Sequence, residues 1–148
     1  MTTSTSVWVF FYGSYMDLNI LKDFDCVPEQ WEVARLYGHD IVIQPRANLI
    51  RSDRTCVYGI VAAVTHDELD RLYARIQREF GQTYLPEPAL AETLNGTWVP
   101  ALTYIAASMD AEPATREYIE RMVKPARKLD FPAWYIERLE SFAPEVRA

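Results

Sequence analysis

Val7, Trp8, Val9, Phe10, Phe11 and Tyr12 form an unbroken apolar and aromatic run that stops at Gly13, Ser14, Tyr15 and Met16. A run this short, ended by a glycine turn, predicts a buried strand whose last backbone N–H groups can hold a small anion. Leu18, Ile20 and Leu21 behind Asp17 predict a short helix with that aspartate as its cap. Residues 33–44, with Ile41, Val42 and Ile43 among them, predict a strand that Pro45 ends, and the mixed stretch from there to Arg54 reads as a loop. Residues 56–64 are small and β-branched around Gly59, as in a central strand whose glycine marks close packing or a bulge.

Helical spacing is clearest after residue 65. Thr65, His66, Asp67 and Glu68 fit a capping box, Leu69, Leu72, Tyr73, Ile76 and Phe80 share one face, and Gly81 is a stop. Asn95 and Gly96 lie between apolar runs at 89–92 and 97–105, the chemistry of a two-residue hairpin turn between antiparallel strands. From about Pro113 the pattern predicts helical pieces with Tyr118, Ile119, Met122 and Val123 on one stripe, interrupted at Pro125 and Pro132. This order lacks the regular strand–helix alternation of a doubly wound sheet. It predicts an α+β fold, a mixed, barrel-like β-sheet with surrounding helices.

Composition narrows the partners. A chain of 148 residues with 49% hydrophobic positions can bury a core without metal or disulfide help, and no repeat or linker divides it, so a single domain over residues 1–148 is expected. Fifteen Lys and Arg against 21 Asp and Glu leave a formal charge of −6, which disfavours nucleic acid. Cys26 and Cys56 form no C-x-x-C pattern, and His39 and His66 have no further ligands at metal spacing, so no disulfide framework, metal or cofactor is expected. Cys56 reads as a small buried residue, Ser14 lacks the flanking glycines of a nucleophile elbow, and Trp8, Trp31, Trp98 and Trp134 read as core and rim packing. The apolar run is too short to span a bilayer and residues 1–6 carry no lysine or arginine, so no membrane is expected and a cytoplasmic protein is.

Taken together, the landmarks resemble the γ-glutamylcyclotransferase-like (AIG2-like) family. Val9 to Ser14 resembles that family's apolar strand and Tyr-Gly-Ser loop, and Val57, Tyr58, Gly59, Ile60 and Val61, followed by Thr65, Glu68 and Leu69, its central strand and next helix. Tyr84 stands where the family has a strand-opening tyrosine. Tyr118, Glu120, Pro125, Phe131, Pro132, Tyr135 and Leu139 resemble its closing segment, so the likeness runs over about residues 7–139. It implies a barrel-centred mixed fold and an enzyme that cyclises a γ-glutamyl amine or peptide to 5-oxoproline with release of the amine. No cofactor is implied, and a monomer or homodimer is expected.

Cyclisation needs the substrate's α-amino group to attack its own γ-carbonyl, so the protein must orient the chain, move a proton and stabilise an oxyanion. The resemblance assigns substrate contacts to Tyr12, Gly13, Ser14, Tyr15 and Met16 and pocket walls to Tyr84 and Tyr118. Tyr15 replaces an asparagine common in the family. The family's proton shuttle is a glutamate four residues after a leucine and about seven before the strand-opening tyrosine. Here those counts land on Ile76 and Gln77, neither a carboxylate. Glu79, on the flank of the helix, and Glu87, between two prolines, are the candidate bases, with Gln77 a neutral hydrogen-bonding residue in the site. A site without a glutamate base is the third possibility. The readings left open are therefore the enzyme, a catalytically inactive binding protein on the same fold, and a related amide-processing enzyme.

Overall fold

The structure is a computed structural model that describes residues 5–144. Most of the N-terminal stretch read above for a signal segment lies outside the described residues. Five strands, β1 (Ser6–Phe11), β2 (Trp31–Ile43), β3 (Ala47–Thr65), β4 (Leu85–Thr93) and β5 (Trp98–Ile105), form one sheet in the order β1-β3-β2-β4-β5. Around it lie α1 (Leu18–Asp23), α2 (His66–Phe80), α3 (Arg116–Lys128) and α4 (Ala133–Glu140). The sheet curls until β1 meets β5 in parallel at Val9–Leu102 and Phe10–Thr103, and β2 meets β4 at Ala34–Thr93 and Arg35–Glu92. With two seams that short the sheet is barrel-like rather than a continuously laddered barrel, as the pattern predicts. No described helix is long and apolar enough to cross a membrane.

The 19-residue β3 organises the rest. It pairs with β1 from Phe11–Ile60 to Ser6–Thr65 and with β2 on both sides of a register shift between Tyr37 and His39. The stretch after Pro45, expected as a loop, is therefore largely strand. Ala47 and Leu49 are buried while Asn48 is half-buried and Ile50 exposed, an alternation that makes sense only beside the long β2. Gly59 marks close packing, not a bulge: a Cβ there would lie 2.1 Å from the Phe11 carbonyl oxygen.

Local chemistry explains the helices. In α2, Thr65 Oγ1 accepts from the Glu68 N–H at 3.1 Å, Glu68 Oε1 accepts from the Thr65 N–H at 2.9 Å, and Gly81 ends the helix at φ +66°. Leu69, Leu72 and Ile76 are buried, but Phe80 is 52% exposed and not part of the core face. α1 is capped by Asp17, whose Oδ1 accepts from the Asn19 N–H at 2.9 Å. α3 runs through Pro125 rather than breaking there, because the buried ring offsets the one lost helical hydrogen bond; Pro132 caps α4 instead. Tyr58 of β3 anchors α4, with ring centroids 5.5 Å from Phe131 and 5.2 Å from Tyr135.

Two further expectations change. The β4–β5 connection spans residues 94–97, longer than a two-residue turn, because the Thr93 N–H donates to the Thr97 carbonyl and the Gly96 N–H to Thr93. Of the tryptophans read as core and rim, Trp8 packs against the core, whereas Trp31, Trp98 and Trp134, 40%, 52% and 48% exposed, are rim and not core. Replacing Gly59 by Ala is expected to cost about 3 kcal/mol or to prevent folding, since the obstructing atom is backbone. Urea denaturation checks this, and an unchanged midpoint would show that β1 and β3 are farther apart than described.

Candidate functional site

The carboxyl end of β1 opens on a small cavity of about 40 Å3, the room of one or two waters. Its walls come from Phe10, Phe11 and Tyr12 and the loop Gly13, Ser14 and Tyr15, from Arg46 just before β3 and Ala47 that opens it, and from Tyr73 and Ile76 of α2. Tyr84, Tyr104 and Tyr118 complete it. Ser14, Tyr15, Arg46 and Tyr118 also line an outer groove of about 770 Å3 bounded by α1, Phe80 and α3. The buried run of β1 thus delivers its terminal loop to the junction of three helices and two other strands.

The loop is a single 3-10 turn, residues 14–16, with Met16 and Asp17 donating to the carbonyls of Gly13 and Ser14 at 3.1 Å. No described residue accepts from the N–H groups of Ser14 or Tyr15. Gly13 has φ −100°, open to any residue, so its need is for space: an added Cβ would lie 3.2 Å from the Ala47 Cβ. Met16 is buried in the core, under the loop rather than in the cavity. Tyr15 takes the place of the expected asparagine and packs edge-on against Phe11, Phe24 and Tyr73.

Ala47 is held from two sides. Its N–H donates to Tyr118 Oη at 3.0 Å, and Tyr84 Oη donates to its carbonyl at 2.6 Å. The next residue, Asn48, exchanges both amide hydrogen bonds with the Ala106 backbone, at 2.9 and 3.0 Å. Tyr12 Oη donates to the Tyr104 carbonyl at 2.6 Å, and Tyr104 stacks on Tyr73 with centroids 3.8 Å apart. The hydroxyls of Tyr12, Tyr84 and Tyr118 are therefore engaged with backbone. Arg46, at the mouth, lies with its guanidinium carbon 3.9 Å from the Phe80 centroid and 5.0 Å from that of Tyr118.

No carboxylate lines the cavity among the described residues. Glu79 is on the outside of the last turn of α2, its Oε1 2.8 Å from Arg75 Nε. Arg75 in turn lies over Phe24, 4.2 Å from the ring centroid. Both charges act on Tyr15, so Glu79 stands near the loop without facing the cavity. Glu87 is exposed on β4, opposite Thr103 of β5, and Gln77 is exposed on α2. The count from Leu72 is the informative one, since Ile76 is 3% exposed and lines the cavity. Among the described residues no three His, Cys, Asp or Glu gather closely enough to hold a metal ion.

The cavity phenols stay protonated. Burial raises the pKa of Tyr12, Tyr15, Tyr73, Tyr84, Tyr104 and Tyr118 above the ordinary tyrosine value, and this outweighs the opposing influence of Arg46 on Tyr15, Tyr84 and Tyr118. They can donate hydrogen bonds and cannot serve as bases near neutral pH. Sequence reasoning did not single out Arg46. It fell in a stretch read as loop, whose polar residues could line a site or meet water, and it lies in the bend of residues 44–46 that the pairing of β3 with β2 brings to the cavity.

No protein-family model matches the sequence, and no curated protein matches it. Solved structures do match. A γ-glutamyl cyclotransferase superposes with TM-score 0.77 at 18% identity, over 96% of this chain and 90% of that one. An uncharacterized protein from Homo sapiens gives TM-score 0.76 at 17% identity, over 97% and 91%. A γ-glutamyl cyclotransferase specific to glutathione from yeast gives 0.66 at 11%, over 93% and 95%. The chain therefore has the γ-glutamyl cyclotransferase fold, as the resemblance implies.

The raised tyrosine pKa values set a pH dependence. Below about pH 10 both folded and unfolded tyrosines are protonated; above it the unfolded chain ionises first, so stability falls as pH rises toward the folded values. Burial pushes the Cys26 thiol up to about 12, so the urea midpoint is expected to fall gently from pH 8 to about 9.5 as the unfolded thiol ionises, and to drop steeply by about pH 11 as the tyrosines follow. The phenolate absorbance of the cavity tyrosines is expected only with unfolding. Full phenolate absorbance near pH 10 in the folded protein would contradict the burial described.

Proposed function

We infer that the protein binds a γ-glutamyl compound at the end of β1 and lacks the carboxylate with which a cyclotransferase would turn it into 5-oxoproline. The observation that carries this reading is Ile76. It lines the cavity at the position where the family pattern places a glutamate, and no described carboxylate replaces it there. Two things support the ligand class: the fold shared with γ-glutamyl cyclotransferases, and the Tyr-Gly-Ser loop with the unclaimed N–H groups of Ser14 and Tyr15.

Cyclisation joins the α-nitrogen to the carbonyl carbon of the γ-amide and breaks that amide's C–N bond, while the two protons lost by the α-ammonium pass to the leaving amine, which departs as its ammonium. A positioned acid–base group contributes roughly 10²- to 10⁴-fold to such a step. The phenols of the cavity keep their protons and Arg46 cannot accept one, so orientation is the remaining contribution.

A second reading, cyclotransferase activity through Glu79, is favoured by that residue's place beside Tyr15. Its ion pair with Arg75 is nearly half exposed, and releasing such a pair costs at most about 1 kcal/mol. Calorimetric titration with a panel of γ-glutamyl amides and peptides, followed by mass spectrometry of long incubations, separates the readings. Binding without 5-oxoproline is expected. Formation of 5-oxoproline overturns the first reading, and its loss in Glu79→Gln establishes the second; free glutamate would indicate hydrolysis and overturn both.

A further inference from the structure

We propose that Arg46 is the residue that selects the ligand's carboxylate, and that Tyr84 and Tyr118 are positioning residues that hold it in place through the Ala47 peptide. The proposal rests on the reading of the cavity as a site for a carboxylate-bearing ligand.

Arg46 is the one charged residue among the described residues that line the cavity, and it also lines the outer groove. No described carboxylate lies within ion-pair distance of Arg46, nor of Arg51, Arg54, Arg71, Arg78 or Arg116; of these described arginines, Arg46 is the one that lines the cavity. The guanidinium lies by the rings of Phe80 and Tyr118, and one of its N–H groups is within reach of the Tyr84 hydroxyl, which leaves its other donors to a ligand. A planar fork matches the two oxygens of a carboxylate. This also gives Phe80 a role its exposure does not otherwise explain, that of a platform.

The backbone beneath Arg46 cannot drift. Ala47 is bonded at both its N–H and its carbonyl, and Asn48 is bonded twice to Ala106. These bonds come from α3, from the residue before β4 and from the residue after β5. Arg46 stands on this fixed backbone where the cavity of about 40 Å3 meets the outer groove of about 770 Å3, and a ligand larger than water would lie in the groove with its carboxylate at Arg46.

The test compares wild type, Arg46→Met and Arg46→Lys by calorimetric titration with γ-glutamyl-alanine, glutarate, its neutral diamide and inorganic phosphate. Arg46→Met keeps an apolar chain against Phe80 and Tyr118, and its amide spectrum verifies the fold. Arg46→Met is expected to weaken γ-glutamyl-alanine and glutarate about 10- to 100-fold, Arg46→Lys by less, with the diamide bound weakly and equally by all three. Tyr84→Phe is expected to weaken the carboxylates in wild type and to add little in the Arg46→Met background, the mark of action through Arg46. The Arg46 Nε–H resonance, shifted by the two rings, should move on addition of glutarate. Unchanged affinity in a folded Arg46→Met, or a wild type that binds phosphate alone or none of the four probes, overturns the proposal. Arg46-dependent binding of glutarate without binding of γ-glutamyl-alanine would sustain the proposal and refute the γ-glutamyl reading.

Discussion

The peptide of Ala47 is the point on which both fold and site depend. It opens β3, the strand that pairs with β1 and β2, and it is bonded by tyrosines from two elements distant in sequence, Tyr84 and Tyr118. Its methyl group meets Gly13, so it also sets how closely the loop after β1 approaches. A buried peptide left without these partners would forfeit hydrogen bonds at both its polar atoms. The fold is thus pinned at the place where a ligand would enter, and the rigidity of the cavity wall is a consequence of satisfying one buried backbone unit.

Much of the architecture was legible along the chain because periodicity carries it. The capping box at Thr65 and Glu68, the stop at Gly81 and the apolar face of α2 are local signals, and they lie where the pattern puts them. The first part of β3 was not legible: residues 47–54 are polar and mixed, and 47–51 become strand because β2 is long enough to pair with them, while 52–54 fall in the register shift. Proline at 125 misled for a related reason, since burial of its ring in α3 is a tertiary gain that propensity does not register.

The candidate site divides the same way. Tyr84 and Tyr118 could be named as wall residues from their positions, yet that their hydroxyls would bond to Ala47 rather than face a ligand depends on a three-body arrangement that no spacing encodes. Glu79 and Glu87 attracted notice as the nearest carboxylates; one pairs with Arg75 at the surface and the other is exposed on β4. Counting from Leu72 to Ile76 named the cavity position because a helix preserves its face over a single turn. Arg46 had no such guide.

Shared fold does not carry chemistry with it, and on the reading proposed here the difference lies at one helical position. Ile76→Glu, compared with wild type for release of 5-oxoproline from a γ-glutamyl amide, tests this most directly. The account predicts turnover at least about 10²-fold above wild type, the contribution of a positioned acid–base group. Wild-type turnover equal to or faster than that of a folded Ile76→Glu protein would contradict it.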